Sequence, residues 1–196
     1  MKSIRGNSWF LVLMLFVFVI SCTKVRTDDE YLEYIRDTEN GLYHVQELSG
    51  YIYSVQMLTE EWYRIRDKKR NRTVEADRYI LPDELHFLFS IETQEGINPI
   101  KKRFREEGEY FDIVRQLNQQ AANLFTLEQT NNEYECVFAQ AESSYDLIPS
   151  LHITVVFSKV KPRTSFLLEF NDIIWGAGPL RFRFEDQKLN EIPILK

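Results

Sequence analysis

Apolar residues recur at every second position over most of this chain, and that period limits what its backbone can build. A strand turns successive side chains to opposite faces, so alternation marks a surface buried on one side. Leu85, Phe87, Phe89 and Ile91 alternate with His86, Leu88 and Ser90. Both faces of that segment are largely apolar, which predicts a central strand. Leu42 to Leu48 and Tyr51 to Leu58 flank Ser49-Gly50, the pattern of a hairpin with a tight glycine-containing turn. Further strands are expected near Leu124 to Leu127, Glu133 to Ala141, Leu151 to Ser158, Ser165 to Phe170 and Leu180 to Glu185, separated by turn chemistry such as Thr130-Asn131-Asn132 and Lys161-Pro162-Arg163. The period changes to that of a helix at about Glu109 to Ala122, where Tyr110, Ile113 or Val114, Leu117 and Ala121 form a stripe behind an acidic start. Thr59 is placed to cap a shorter helix carrying Glu60, Glu61, Trp62, Tyr63 and Ile65. The expected fold is α+β: a single compact domain, mostly antiparallel β-sheet, with one main amphipathic helix packed on a face.

With 196 residues, the chain has one domain's worth of length. An apolar fraction of 44% with 28% charged residues, seven Gly and six Pro excludes collagen-like and low-complexity classes, and with them intrinsic disorder. A formal charge of -6 argues against a nucleic-acid partner.

The first 22 residues follow a different rule. Lys2 and Arg5 precede Trp9 to Ile20, an unbroken apolar run that ends at Ser21-Cys22, the layout of a secretory signal. Polar residues follow at once, and the run falls short of the roughly 20 apolar residues of a membrane-spanning helix. Val19-Ile20-Ser21-Cys22 resembles the lipobox of bacterial lipoproteins. That resemblance covers the targeting segment alone. It implies cleavage before Cys22, a diacylglyceryl group on its thiol and an N-acyl chain such as palmitate on its new amino group, with no other cofactor. Two or three chains on one residue make a stable anchor, whereas one does not. Thr23 stands where Asp would mark inner-membrane retention, so the resemblance implies the outer membrane of a Gram-negative bacterium, facing either the periplasm or the outside.

Three segments follow: a signal peptide over 1–21, a lipid-anchored tether over 22–40 and a globular α+β domain over 41–196. Thr27-Asp28-Asp29-Glu30 has the form of a capping box, so the tether reads equally as a short helix with Tyr31, Tyr34 and Ile35 on one face or as a flexible acidic link. Removing Lys2 and Arg5 leaves 22 basic against 30 acidic residues and a formal charge of -8. With Cys22 lipidated, Cys136 has no disulfide partner, and alternation places it with Tyr134 and Phe138 on one face as a buried thiol.

Catalytic and metal motifs are absent. His44, His86 and His152 are far apart in predicted strands, and no HExxH, CxxC, EF-hand or GxSxG spacing occurs. Gly176-Ala177-Gly178 precedes Pro179 and a strand rather than a helix, so it reads as a turn and not a phosphate loop. Glu133 and Glu135 read as a solvated edge.

Charge is segregated into two basic islands. Arg64, Arg66, Lys68, Lys69, Arg70 and Arg72 form one, and Lys101, Lys102, Arg103 and Arg105 the other. Together they are the candidate site for an anionic envelope partner, a lipid headgroup, lipopolysaccharide or an acidic protein. The resulting expectation is a non-enzymatic module, held at the membrane by its lipid, that binds or joins an envelope protein assembly. The alternative is a carbohydrate- or small-ligand-binding surface lipoprotein, with Trp62, Trp175 and the many tyrosines as stacking faces.

Overall fold

A computed structural model describes residues 27–72, 79–104, 106–142 and 148–195. The signal segment, Cys22 and Arg105 lie outside the described residues. The fold is α+β, and its strands form two antiparallel sheets. One sheet has the order β1-β2-β3-β7-β6, from Tyr43–Leu48, Tyr51–Leu58, Glu84–Thr93, Ser150–Ser158 and Phe138–Ala141. The other has the order β5-β4-β8-β9, from Asn132–Glu135, Phe125–Gln129, Phe166–Asp172 and Gly178–Phe184.

The two sheets bury their apolar faces against each other. β3 lies between β2 and β7, the central place that its doubly apolar pattern requires. From it Phe87 and Phe89 project into a layer of rings. Phe89 lies 4.4 Å from Phe170 and 5.2 Å from Phe125, centre to centre, and Phe87 lies 5.5 Å from Phe184. These are cross-sheet contacts in tilted or edge-on geometry, which the ring quadrupole favours.

Local chemistry accounts for the connections. Ser49 and Gly50 both take left-handed backbone angles, φ 56° and 80°, as a two-residue hairpin loop needs. Gly41 ends the turn Thr38–Asn40 at φ 72°, and a Cβ there would meet the Lys188 side chain at 2.9 Å. Glycine is therefore required at 41 on both counts.

Among the described residues five α-helices accompany the sheets. α1 spans Asp28–Arg36, with Thr27 and Glu30 making the reciprocal capping box. Its Tyr31 and Ile35 are fully buried, so the helical alternative holds from Asp28 and the packed body begins ahead of Gly41. α2 spans Glu60–Lys69 behind the Thr59 cap. α3, Pro99–Arg103, is a single turn that hydrophobic period does not announce; Asn98 caps it and Pro99 opens it. α4, Glu107–Gln120, is the amphipathic helix expected from its stripe, and it buries Leu117 while Tyr110, Ile113 and Val114 pack on the core. α5, Asp186–Asn190, closes the far end by burying Leu189.

One strand expected over Glu133 to Ala141 is two. β5 pairs with β4 in one sheet, β6 pairs with β7 in the other, and Cys136-Val137 carries the chain between them. The crossing shifts the alternation by one residue. Tyr134 and Cys136 turn inward, then Ala139 and Ala141, leaving Phe138 exposed instead of sharing their face. Cys136 is accordingly half-buried, with Sγ facing the carbonyls of Phe138 at 3.0 Å and Val156 at 3.5 Å. Burial pushes its thiol pKa up, which makes it a poor nucleophile.

Replacing Phe89 by Ala removes the ring that contacts both sheets. The expected cost is about 3–5 kcal/mol in urea unfolding, the range for a buried Phe truncation, against a small effect for the exposed Phe111.

Candidate functional site

The basic islands sit at opposite ends of the body. β2 separates them, and its seven residue steps from Tyr51 to Leu58, at about 3.3 Å each, span roughly 23 Å. At the Tyr51 end, Lys102 Nζ donates to the Gly50 carbonyl at 2.9 Å and to Glu95 at 2.7 Å, and lies 4.9 Å over the Tyr51 ring. Lys102 thereby holds the Glu95 carboxyl below the usual carboxylate range. This lysine braces the hairpin, and Lys101 and Arg103 beside it are exposed.

The other end is built by α2. Arg66, Lys68 and Lys69 occupy its last turn, where the helix dipole favours cations. Arg66 is internal: it lies 5.2 Å over Trp62 and 4.8 Å over Tyr63, and its Nε donates to the buried Asp67 at 3.1 Å. Lys68 pairs with Asp28 at 2.6 Å and Lys69 with Asp29 at 2.9 Å, so the acidic start of α1 lies against the basic end of α2. Arg64 pairs loosely with Glu60 at 3.6 Å. Arg70 and Arg72 are exposed and have no side-chain partner among the described residues. The nine described basic residues thus do not make one surface, and those open to a ligand at the α2 end are chiefly Arg64, Arg70 and Arg72.

Next to α2 lies a cleft of about 470 Å³, walled by Met57, Leu58, Leu81, Leu85, Ile192 and Ile194. Two of its carboxylates already serve the fold. Glu60 accepts from the backbone of Tyr79 and Ile80, and Glu84 from the backbone of Leu81. Glu84 also meets His86 Nε2 at 3.1 Å, and His86 Nδ1 lies 3.0 Å from the Tyr63 hydroxyl. Burial raises the Tyr63 pKa, so the phenol keeps its proton. The chain carboxylate–imidazole–phenol ties α2 to β3.

The remaining histidines are separate. His152 lies between two hydroxyls, Ser90 Oγ at 2.8 Å from Nδ1 and Ser150 Oγ at 3.0 Å from Nε2. His44 faces the core edge-on to Phe184, and its buried Nε2 has no hydrogen-bond partner. Among the described residues no group of three potential ligands is placed to hold a metal ion.

The Gly176 loop is a turn organised by Asp172. This carboxylate is 3% exposed and accepts from the amides of Ile174, Trp175 and Ala177 at 2.7 to 3.0 Å and from the Tyr53 hydroxyl at 2.7 Å. Those amides are committed to a carboxylate of the chain, so they cannot cradle a phosphate. Burial and Asp172 together push the Tyr53 pKa far up. Trp175 is buried and donates through Nε1 to the Pro99 carbonyl, and Trp62 lies beneath Arg66. Neither tryptophan offers a bare face to a sugar. Glu133 and Glu135 are exposed on β5, an edge strand, as the solvated-edge reading expects.

No family model, curated protein or solved structure matches the chain.

Burial lowers the His44 pKa from its ordinary 6.5, with the Gly41 backbone opposing. A lowered folded value means that the unfolded chain binds the proton more tightly, so His44 weakens the fold as pH falls through about 6.5 and below. His44→Leu should therefore flatten the loss of stability between neutral and mildly acidic pH, measured by urea midpoints across that range.

Proposed function

We propose that this chain is a lipid-anchored cell-envelope module, a non-enzymatic binding or assembly component of an outer-membrane protein complex, whose α2 end faces the membrane. The observation that carries the reading is the pairing of Asp28 and Asp29 with Lys68 and Lys69. Five peptide units separate Cys22 from Thr27, a reach of at most about 18 Å when fully extended. A lipid on Cys22 would hold the start of α1 within that distance of the bilayer, and the basic end of α2 with it.

Chemistry supports a headgroup-facing role there. Exposed cations near an anionic leaflet attract it by about 1 kcal/mol each, an effect confined to a Debye length. A tether of this length lets Arg64, Arg70 and Arg72 come within that range. Among the described residues no helix is long and apolar enough to cross a membrane, so membrane attachment in this reading rests on the lipid. The second basic group, Lys101 to Arg103, lies at the other end of β2 and faces away, where a protein partner of the assembly would reach it.

Two measurements test the reading. Cys22→Ser should abolish palmitate incorporation and release the protein from the membrane fraction; retention with label would refute the anchor. Arg70→Glu with Arg72→Glu should weaken binding to phosphatidylglycerol vesicles by about tenfold or more at low salt, with little change on phosphatidylcholine vesicles. These two arginines are the informative pair, because reversing Lys68 or Lys69 would also break the contacts to α1. Equal binding by variant and parent would remove the headgroup role.

A further inference from the structure

The outer face of the five-stranded sheet carries a hollow that the core does not need. Register builds it. Tyr43, Gln56 and Leu88 stand side by side across β1, β2 and β3, and the next row is Val45, Ser54, Ser90 and His152. Directly opposed residues point to the same face. Two serines between larger neighbours leave a depression of about 290 Å³, which Arg36 from the end of α1 and Glu92 complete.

Its polar groups are unusual in being unused. Arg36, Tyr43, Ser54 and Glu92 make no side-chain hydrogen bond or ion pair among the described residues. Gln56 is 7% exposed and its Nε2 has no partner. A buried amide left unpaired costs free energy, and such groups in a folded protein call for an explanation. Ser90 and His152, by contrast, are bonded to each other and form a fixed wall.

We infer that this hollow is a binding site for a neutral sugar, one hexose-sized unit at a time. The lining offers donors and acceptors in nearly equal supply, which suits vicinal hydroxyls that must both give and accept hydrogen bonds. Tyr43 supplies the one aromatic face, and Leu88 is the one apolar wall, too little for an acyl chain. Arg36 is balanced by Glu92, so the site carries no excess of positive charge for a phosphate. The inference does not rest on the lipid anchor, and it moves the carbohydrate reading from Trp62 and Trp175 to a surface that is open.

The test is saturation-transfer NMR and titration of the full-length protein, in a detergent without a sugar headgroup, against glucose, galactose, mannose and N-acetylglucosamine. Glycine serves as a zwitterionic probe. At least one sugar should bind with a dissociation constant in the millimolar range or below, and Arg36→Ala, Glu92→Gln and Gln56→Ala should each weaken it roughly tenfold. Arg36 and Glu92 are exposed and unpaired, so their variants test the site without threatening the fold. Absence of sugar binding, binding of glycine in place of every sugar, or sugar binding unchanged in Arg36→Ala and Glu92→Gln would each overturn the assignment.

Discussion

The contact of Phe89 with Phe125 and Phe170 is the constraint on which the rest of the structure depends. It joins the centre of one sheet to the other, and rings 4.4 to 5.2 Å apart leave no room for water between them. Once β3 commits Leu85, Phe87, Phe89 and Ile91 to that layer, the pleat sends His86, Leu88, Ser90 and Glu92 to the opposite face. Every polar feature of the outer surface is therefore indexed to the aromatic core. A slip of one residue in β3 would bury His86 and Glu92 and expose two phenylalanines, so register is strongly specified.

The same constraint explains which parts of the fold were legible in the residue pattern. The hairpin at Ser49-Gly50, the caps at Thr27 and Thr59 and the central place of β3 each have a local cause, and each can be read locally. The separation of β5 from β6 cannot. Alternation continues through Tyr134, Glu135, Cys136 and Val137, and a period of two says nothing about which sheet receives the next residue. The choice is made at long range, by β7 offering Val156 and its neighbours to Phe138. α3 and α5 are single turns of five residues, too short for a helical period to emerge.

Candidate sites were legible to a smaller degree. Charge clusters are visible in a sequence, but their separation along β2 is not, nor is the use of Arg66 and Lys102 as internal braces. Trp175 shows the same limit from the other side: an aromatic side chain beside a glycine-rich loop resembles a binding face, and Asp172 instead draws that loop inward. The hollow on the outer sheet had no sequence signal at all. Its residues are ordinary Ser, Gln, Tyr, Leu, His, Arg and Glu from a helix and four strands, and only the cross-strand register brings them together.

α1 connects these separate features. Its buried face, Tyr31, Tyr34 and Ile35, fixes it to the body, so its two ends are held in place. The first turn meets Lys68 and Lys69, and the last supplies Arg36 to the hollow. Eight residue steps at about 1.5 Å each separate those ends by roughly 12 Å. In the proposed orientation the helix is thus a rigid spacer: a lipid on Cys22 would hold its start within the reach of residues 22–27, and the sugar-sized hollow lies one helix length from that start. A flexible link over 22–40 would set no such distance. The exposed ion pairs contribute little energy to this arrangement. Burial of Tyr31 and Ile35 holds the helix, and that packing brings its acidic start beside Lys68 and Lys69.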